Sequence, residues 1–325
     1  MLPNFTYVRA RSEKEAIKHL ASEGARIHAG GTDLLGCLRD RVFNAKKIVS
    51  ISKLDFLHGI RKTAEGGLRI GALTTITEVA QNPIIRNRYN VLSQAASEVA
   101  SPQLRNQGTI GGNICQKPRC WYYRGEFHCL RKGGDQCFAA EGENQFHCIF
   151  GGDMCYIVHP SDTSPALVAL GASVRITGKR GNRTVLMEHF HVPPDKDVQK
   201  ETVLEPDEIV TEIILPVASP ALKSSYRKVR ARRSWDFALA GVALAIEFDG
   251  TTVAKAKVVF SGVAPVPWRS KEVEKSITGK TIDANLAAKA AEEAIKGAEA
   301  MGKNAYKIPL LRGVIEEELI AITKL

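Results

Sequence analysis

The chain has 325 residues, 44% of them hydrophobic and 25% charged, with a formal net charge of +10. That length exceeds one ordinary core, so two or three globular domains are expected. No run approaches the roughly 18 apolar residues that span a bilayer, and the opening MLPNFTYVRARSEKEA lacks the apolar centre of a signal peptide.

In chain order the first elements alternate strand and helix. Ser12 followed by Glu15 is a capping-box pattern, and Ala16, Ile17, Leu20 and Ala21 give one apolar helical face closed by Gly24. Short strands are expected at 26–29, running into Gly30 and Gly31, and at 47–51, which makes a small βαβ-like unit ending near residue 55. Residues 92–100 are expected to be helical. Two β-rich runs at 173–187 surround a Gly-Lys-Arg-Gly-Asn-Arg turn. Strand alternation at 209–215 then leads into a linker marked by Pro216 and Pro220. The last third is a separate unit. Strands at 241–248 and 252–260 are joined through Asp249-Gly250, Asp283 caps a helix, and a final helix covers about 310–322. The expected domains are 1–55, 56–220 with an insertion at about 115–156, and 221–325.

The basic excess is concentrated at 223–233, which holds six lysines and arginines. It carries no interleaved aromatic stripe and no nucleic-acid motif, so nucleic acid is not expected as a partner. A solvated face, a phosphate-bearing cofactor or an acidic partner subunit accounts for it.

Three segments can carry chemistry. Ala29-Gly30-Gly31-Thr32-Asp33-Leu34 follows a strand, and Thr109-Ile110-Gly111-Gly112-Asn113 follows Ser101-Pro102. Paired glycines let backbone N–H groups approach an anion, as a diphosphate needs, although a glycine turn is also an ordinary structural device. Asp162, at the start of a helical pattern, is either an N-cap or an acceptor for ribose or ribityl hydroxyls. Lys228, in a basic segment, is either a surface charge or a fixed cation beside an electron-accepting ring.

Five of the seven cysteines, Cys120, Cys129, Cys137, Cys148 and Cys155, fall within 36 residues. In a chain expected to be cytoplasmic, such thiols point to a metal or iron–sulfur site rather than disulfides. None are closer than seven positions, unlike the short Cys pairs of zinc sites. A zinc-binding interaction protein with purely structural glycine turns stays open as an alternative.

Taken together, AGGTDL near 30, TIGGN near 110, HPSD at 159–162 and YRKVRARRSWDFALAGVA at 226–243 resemble the FAD-binding medium subunit of molybdenum hydroxylases, the xanthine dehydrogenase family. The resemblance runs nearly end to end. It implies an α+β fold: an FAD-binding domain of the vanillyl-alcohol-oxidase and CO-dehydrogenase-flavoprotein type, made of a small βαβ subdomain and a mixed-sheet subdomain, then a C-terminal α/β domain. It implies that Ile27, His28, Ala29, Gly30, Gly31, Thr32, Asp33 and Leu34, with Thr109, Gly111, Gly112 and Asn113, bind the FAD diphosphate, and that Ser101 also contacts the cofactor. Asp162 would hold the ribityl or ribose hydroxyls, and Lys228 would lie near the flavin ring.

The cysteine insertion is similar to that of the 4-hydroxybenzoyl-CoA reductase β subunit and of bacterial aldehyde oxidoreductase FAD subunits, which implies an extra [4Fe–4S] cluster. Its implied ligands are Cys120, Cys129, Cys137 and Cys155, with Cys148 the rival for the fourth place. The implied partners are a large molybdopterin-binding subunit, a small [2Fe–2S] subunit and an external carrier, whether ferredoxin, NAD or quinone-linked. Substrate chemistry would occur on the large partner, and no acid–base constellation stands out in this chain. A stand-alone flavoprotein reductase of the same fold is the other reading.

Overall fold

A computed structural model describes residues 2–325. The first sheet is parallel. It holds β1 (Thr6–Arg9), β2 (Ala25–His28) and β3 (Lys47–Ser50), with β3 in the centre. Parallel strands need a crossover connection, and the helix Glu13–Leu20 carries the chain from β1 to β2, on the two sides of β3. Ser12 caps it by accepting from the Glu15 N–H, while the Glu15 carboxylate accepts from the Arg11 N–H instead of closing the box on Ser12. Ala16 and Leu20 bury the apolar face against Val49 and Ile51.

The second sheet is antiparallel and follows the order β4 (Ile60–Lys62), β5 (Leu68–Gly71), β8 (Ile209–Leu215), β6 (Ser173–Gly178), β7 (Gly181–Leu186). A long excursion between β5 and β6 carries helices and the cysteine insertion. The expected helix at 92–100 ends earlier, spanning Asn90–Ser97, and Ala100 takes a left-handed φ of 45°. That conformation interrupts a helix. It aims the Ala100 carbonyl at the Trp235 N–H, 3.1 Å away.

The third sheet is an antiparallel set of β9 (Leu222–Val229), β10 (Ala240–Asp249), β11 (Thr252–Ser261) and β12 (Trp268–Arg269), ordered β12-β11-β10-β9. Gly250, at φ 57°, makes the expected β10–β11 turn. Val242, Leu244 and Ile246 alternate onto the face covered by helices Ala284–Ala294 and Lys307–Ile322. Each such buried side chain contributes roughly 1.5–3 kcal/mol. The final helix starts three residues before the expected 310. No helix among the described residues is long and apolar enough to cross a membrane.

Candidate cofactor cleft and cysteine cavity

A cleft of about 780 Å³ runs between the first two glycine turns. The turns touch each other. A Cβ on Gly30 would lie 2.0 Å from the Gln107 carbonyl oxygen, so only glycine permits this approach. Gly31 holds φ 73°, the left-handed region that glycine tolerates.

The TIGGN segment differs from the expected loop. Ile110–Ile114 is a short helix, capped by Thr109, whose hydroxyl accepts from the Gly112 N–H at 3.1 Å. Gly111 is buried, and its Cβ would meet Ala72 at 2.8 Å. It is small for packing on β5's end. Gly112 is the member of the pair that lines the cleft.

Eight of the fifteen candidate cofactor residues line this cleft: Gly30, Gly31, Thr32, Asp33, Thr109, Gly112, Asn113 and Asp162. Ile27, His28, Ala29, Leu34, Ser101, Gly111 and Lys228 do not. Ser101 caps the helix Pro102–Gln107. Asn113 Oδ1 accepts from the hydroxyls of Ser161 and Thr163, both at 2.6 Å, which ties the TIGGN helix to the HPSD segment.

Two carboxylates have partners that sequence reasoning did not name. Asp33 accepts from the Lys117 N–H and pairs with Arg119 and Arg124 at 2.8–2.9 Å. The insertion is thereby locked onto the first glycine turn. Both arginines line the cleft, so the insertion brings cations to its wall. Asp162 occupies an N-cap position but makes no capping bond. Its carboxylate pairs instead with Lys228 Nζ at 2.8 Å and accepts from the Tyr226 hydroxyl at 2.8 Å. Burial pushes the Asp162 carboxyl up, opposed by Lys228 and Tyr226. The two residues assigned to the flavin are therefore partners of each other.

The cleft continues into a more apolar chamber of about 250 Å³, walled by Trp121, Phe146, Phe237, Leu239, Ser261 and Gly262, with Asp162 and Arg119 at the junction. Behind its wall lies Lys307, which is fully buried and donates to the Phe146 and Gly262 carbonyls. Burial pushes its amine down to about 7. Within an apolar helical pattern, a lysine gives no sign of such a position.

Beyond the chamber is a smaller cavity. Cys120, Cys129, Cys137 and Cys155 all line it, and Cys148 does not. Its free space is about 10 Å³, roughly the room for one water. Among the described residues no three Cys, His, Asp or Glu side chains sit close enough to hold a single metal ion. Burial pushes the Cys120 and Cys148 thiols up to about 12, which keeps them protonated and inert as free thiols.

Residues 3–218 match the FAD binding domain in molybdopterin dehydrogenase, and residues 224–317 match the CO dehydrogenase flavoprotein C-terminal domain. The chain belongs to the FAD-binding subunits of the molybdenum hydroxylases. This family assignment makes FAD the cofactor and the chain an oxidoreductase subunit. Among curated relatives, it is 37% identical over 281 residues to the aldehyde oxidoreductase FAD-binding subunit PaoB of Escherichia coli K12, covering 84% of this chain and 86% of that one. It is 32% identical over 286 residues to the glyceraldehyde dehydrogenase medium chain of Sulfolobus acidocaldarius, covering 87% and 84%. The carbon monoxide dehydrogenase structure from Hydrogenophaga pseudoflava superposes with a TM-score of 0.78 at 25% identity, covering 98% of this chain and 96% of that chain. The family fold matches the expected α+β class.

Proposed function

We propose that this subunit carries FAD and a [4Fe–4S] cluster and relays electrons within a molybdenum hydroxylase-type complex. The observation that carries the reading is the convergence of four cysteines, 35 residues apart in sequence at the extremes, on one cavity beside the FAD cleft. Four thiolates suit a cluster, whose ligands stand farther apart than those of a single zinc ion. Seating a cluster requires the insertion to open around it. Cys148, outside the cavity, is the spare thiol.

FAD, when bound, accepts and returns electrons. The chain's own residues supply its seat. The glycine turns at 30–31 and 112 offer backbone approach to the diphosphate, with Arg119 and Arg124 adding charge. Asp162, held by Lys228 and Tyr226 where the cleft meets the apolar chamber, would accept hydrogen bonds from ribityl hydroxyls. The chamber walls suit a flat aromatic ring. The expected partners are a large molybdopterin subunit, which performs the substrate chemistry, a small [2Fe–2S] subunit and an external electron carrier. The aldehyde oxidoreductase and glyceraldehyde dehydrogenase subunits described above are named for aldehyde substrates, which supports an aldehyde as the substrate class of the complex. The proposed division remains 1–55, 56–220 and 221–325, and the cytoplasm remains the proposed location.

The test is iron, sulfide and flavin content of the anaerobically purified complex. About four irons and one FAD per chain, above those of the [2Fe–2S] partner, are expected. Gly30→Ala should lose most of the flavin while keeping the iron, because its Cβ pries the two turns apart. Flavin without the extra iron would sink the cluster reading, and full flavin in Gly30→Ala would sink the diphosphate assignment.

A further inference from the structure

Two residues, Cys120 and His147, line both the apolar chamber of the FAD cleft and the cysteine cavity. Their side chains touch, with His147 Nε2 3.3 Å from Cys120 Sγ. We propose that this pair is the junction between the two compartments, and that His147 is a positioning residue that donates an N–H···S hydrogen bond to Cys120 and sets the potential of the group held there. The inference rests on the [4Fe–4S] reading above.

The pair is enclosed by the fold. His147 is 4% exposed. Its ring lies against Trp121 and Tyr122, with centroids 6.1 and 6.3 Å away. Its backbone carbonyl accepts from the fully buried Asn304 side chain, and its N–H donates to Asn144. These contacts hold the segment and pack the ring beside the sulfur. Its Nδ1 is buried without a hydrogen-bond partner, so Nε2 makes the ring's one polar contact.

A metal-bound thiolate has no proton to give. The contact is then a hydrogen bond only when Nε2 carries the hydrogen. Such a bond strengthens as the sulfur becomes more negative. Reduction adds one electron to the cluster and moves no proton, so the bond favours the reduced state and raises the midpoint potential. None of the other three cavity cysteines reaches the chamber wall. The sulfur tuned by His147 is thus the one nearest the flavin side.

The test is an EPR-monitored redox titration of the whole complex, with dithionite as reductant, comparing wild type, His147→Phe and His147→Gln. Iron and flavin content are measured on each. His147→Phe should keep its iron, lower the potential of the extra cluster and leave the flavin potential unchanged. His147→Gln, which retains an N–H donor, should recover part of the shift. Iron lost from the Phe variant but kept by the Gln variant also supports the donor role. An unshifted potential with full iron overturns this inference and leaves the cluster reading intact. Iron lost from both variants assigns His147 to folding of the segment and overturns it as well. A wild-type complex without the extra cluster overturns the cluster reading itself, and this inference with it.

Discussion

At the residue scale, the buried pair of Asp162 and Lys228 best shows what local pattern leaves open. An Asp ahead of a helical stretch is ordinarily a cap, and a Lys in a basic segment is ordinarily solvated. Here their side chains are only 6% and 1% exposed and face each other across 66 residues of sequence. Removing one charge strands the other without water. Lys228→Met should therefore destabilise the fold by about 3–5 kcal/mol, read by urea denaturation. A loss under about 1 kcal/mol would mean that water reaches the Asp162 carboxylate. Asp33 teaches the same lesson. Its place in a glycine turn was legible, but its use as an anchor for Arg119 and Arg124 was not.

At the element scale, most strands and helices were readable because period and turn chemistry are local. The Asp-Gly turn between β10 and β11 and the Ser12 cap are examples. The short TIGGN helix was not, since its glycines oppose helix formation and it is held by the Thr109 cap and by contacts to Ala72, Ser161 and Thr163. The carbonyl of Ile114, at its C-terminal end, receives a hydrogen bond from His191 Nε2 at 3.0 Å. His191 packs against His159 with ring centroids 4.2 Å apart.

Burial pushes His191 down to about 4. Between the ordinary histidine value and 4, the unfolded chain binds a proton that the folded chain refuses. This contribution to stability is present at neutral pH and is lost as pH falls. From pH 7 to 5 the loss is on the order of 2 kcal/mol. Guanidinium unfolding at both pH values should show it, and His191→Gln, which keeps a donor for Ile114, should reduce the slope, the rest belonging to His159, which burial also pushes down. Equal slopes in both proteins would show that His191 is not the proton-linked group.

At the scale of the whole molecule, the C-terminal unit reaches back to hold the insertion. Asn304 Nδ2 donates to the His147 and Cys148 carbonyls, and Asn304 Oδ1 accepts from Met301 N–H. Lys307 donates to Phe146 and Tyr306 to Gln145. Asn144 Oδ1 in return accepts from the Lys303 N–H. The segment 144–148 is thus clamped by residues 301–307, more than 150 positions away. Asn304→Ala would leave three backbone groups without partners. It should cost roughly 1–3 kcal/mol and raise hydrogen exchange selectively in 144–149, with β1–β3 unaffected. Uniform faster exchange throughout would indicate global destabilisation without a specific clamp.

The sequence by itself determined the glycine turn at 30–31, the cysteine cluster, the hairpins and the order of motifs that marks the family. Each of these depends on backbone freedom, periodicity or composition within a short stretch. Only the tertiary structure decided which side chains face the cleft. It committed Asp33 and Asp162 to internal pairs, placed Arg119 and Arg124 along the cleft with Lys307 behind the chamber wall, and made Cys120 and His147 a shared wall. Those outcomes are contacts between segments tens to more than a hundred residues apart. Local propensity carries no information about such contacts, because the free energy that selects them arises only when the sheets and the insertion pack together.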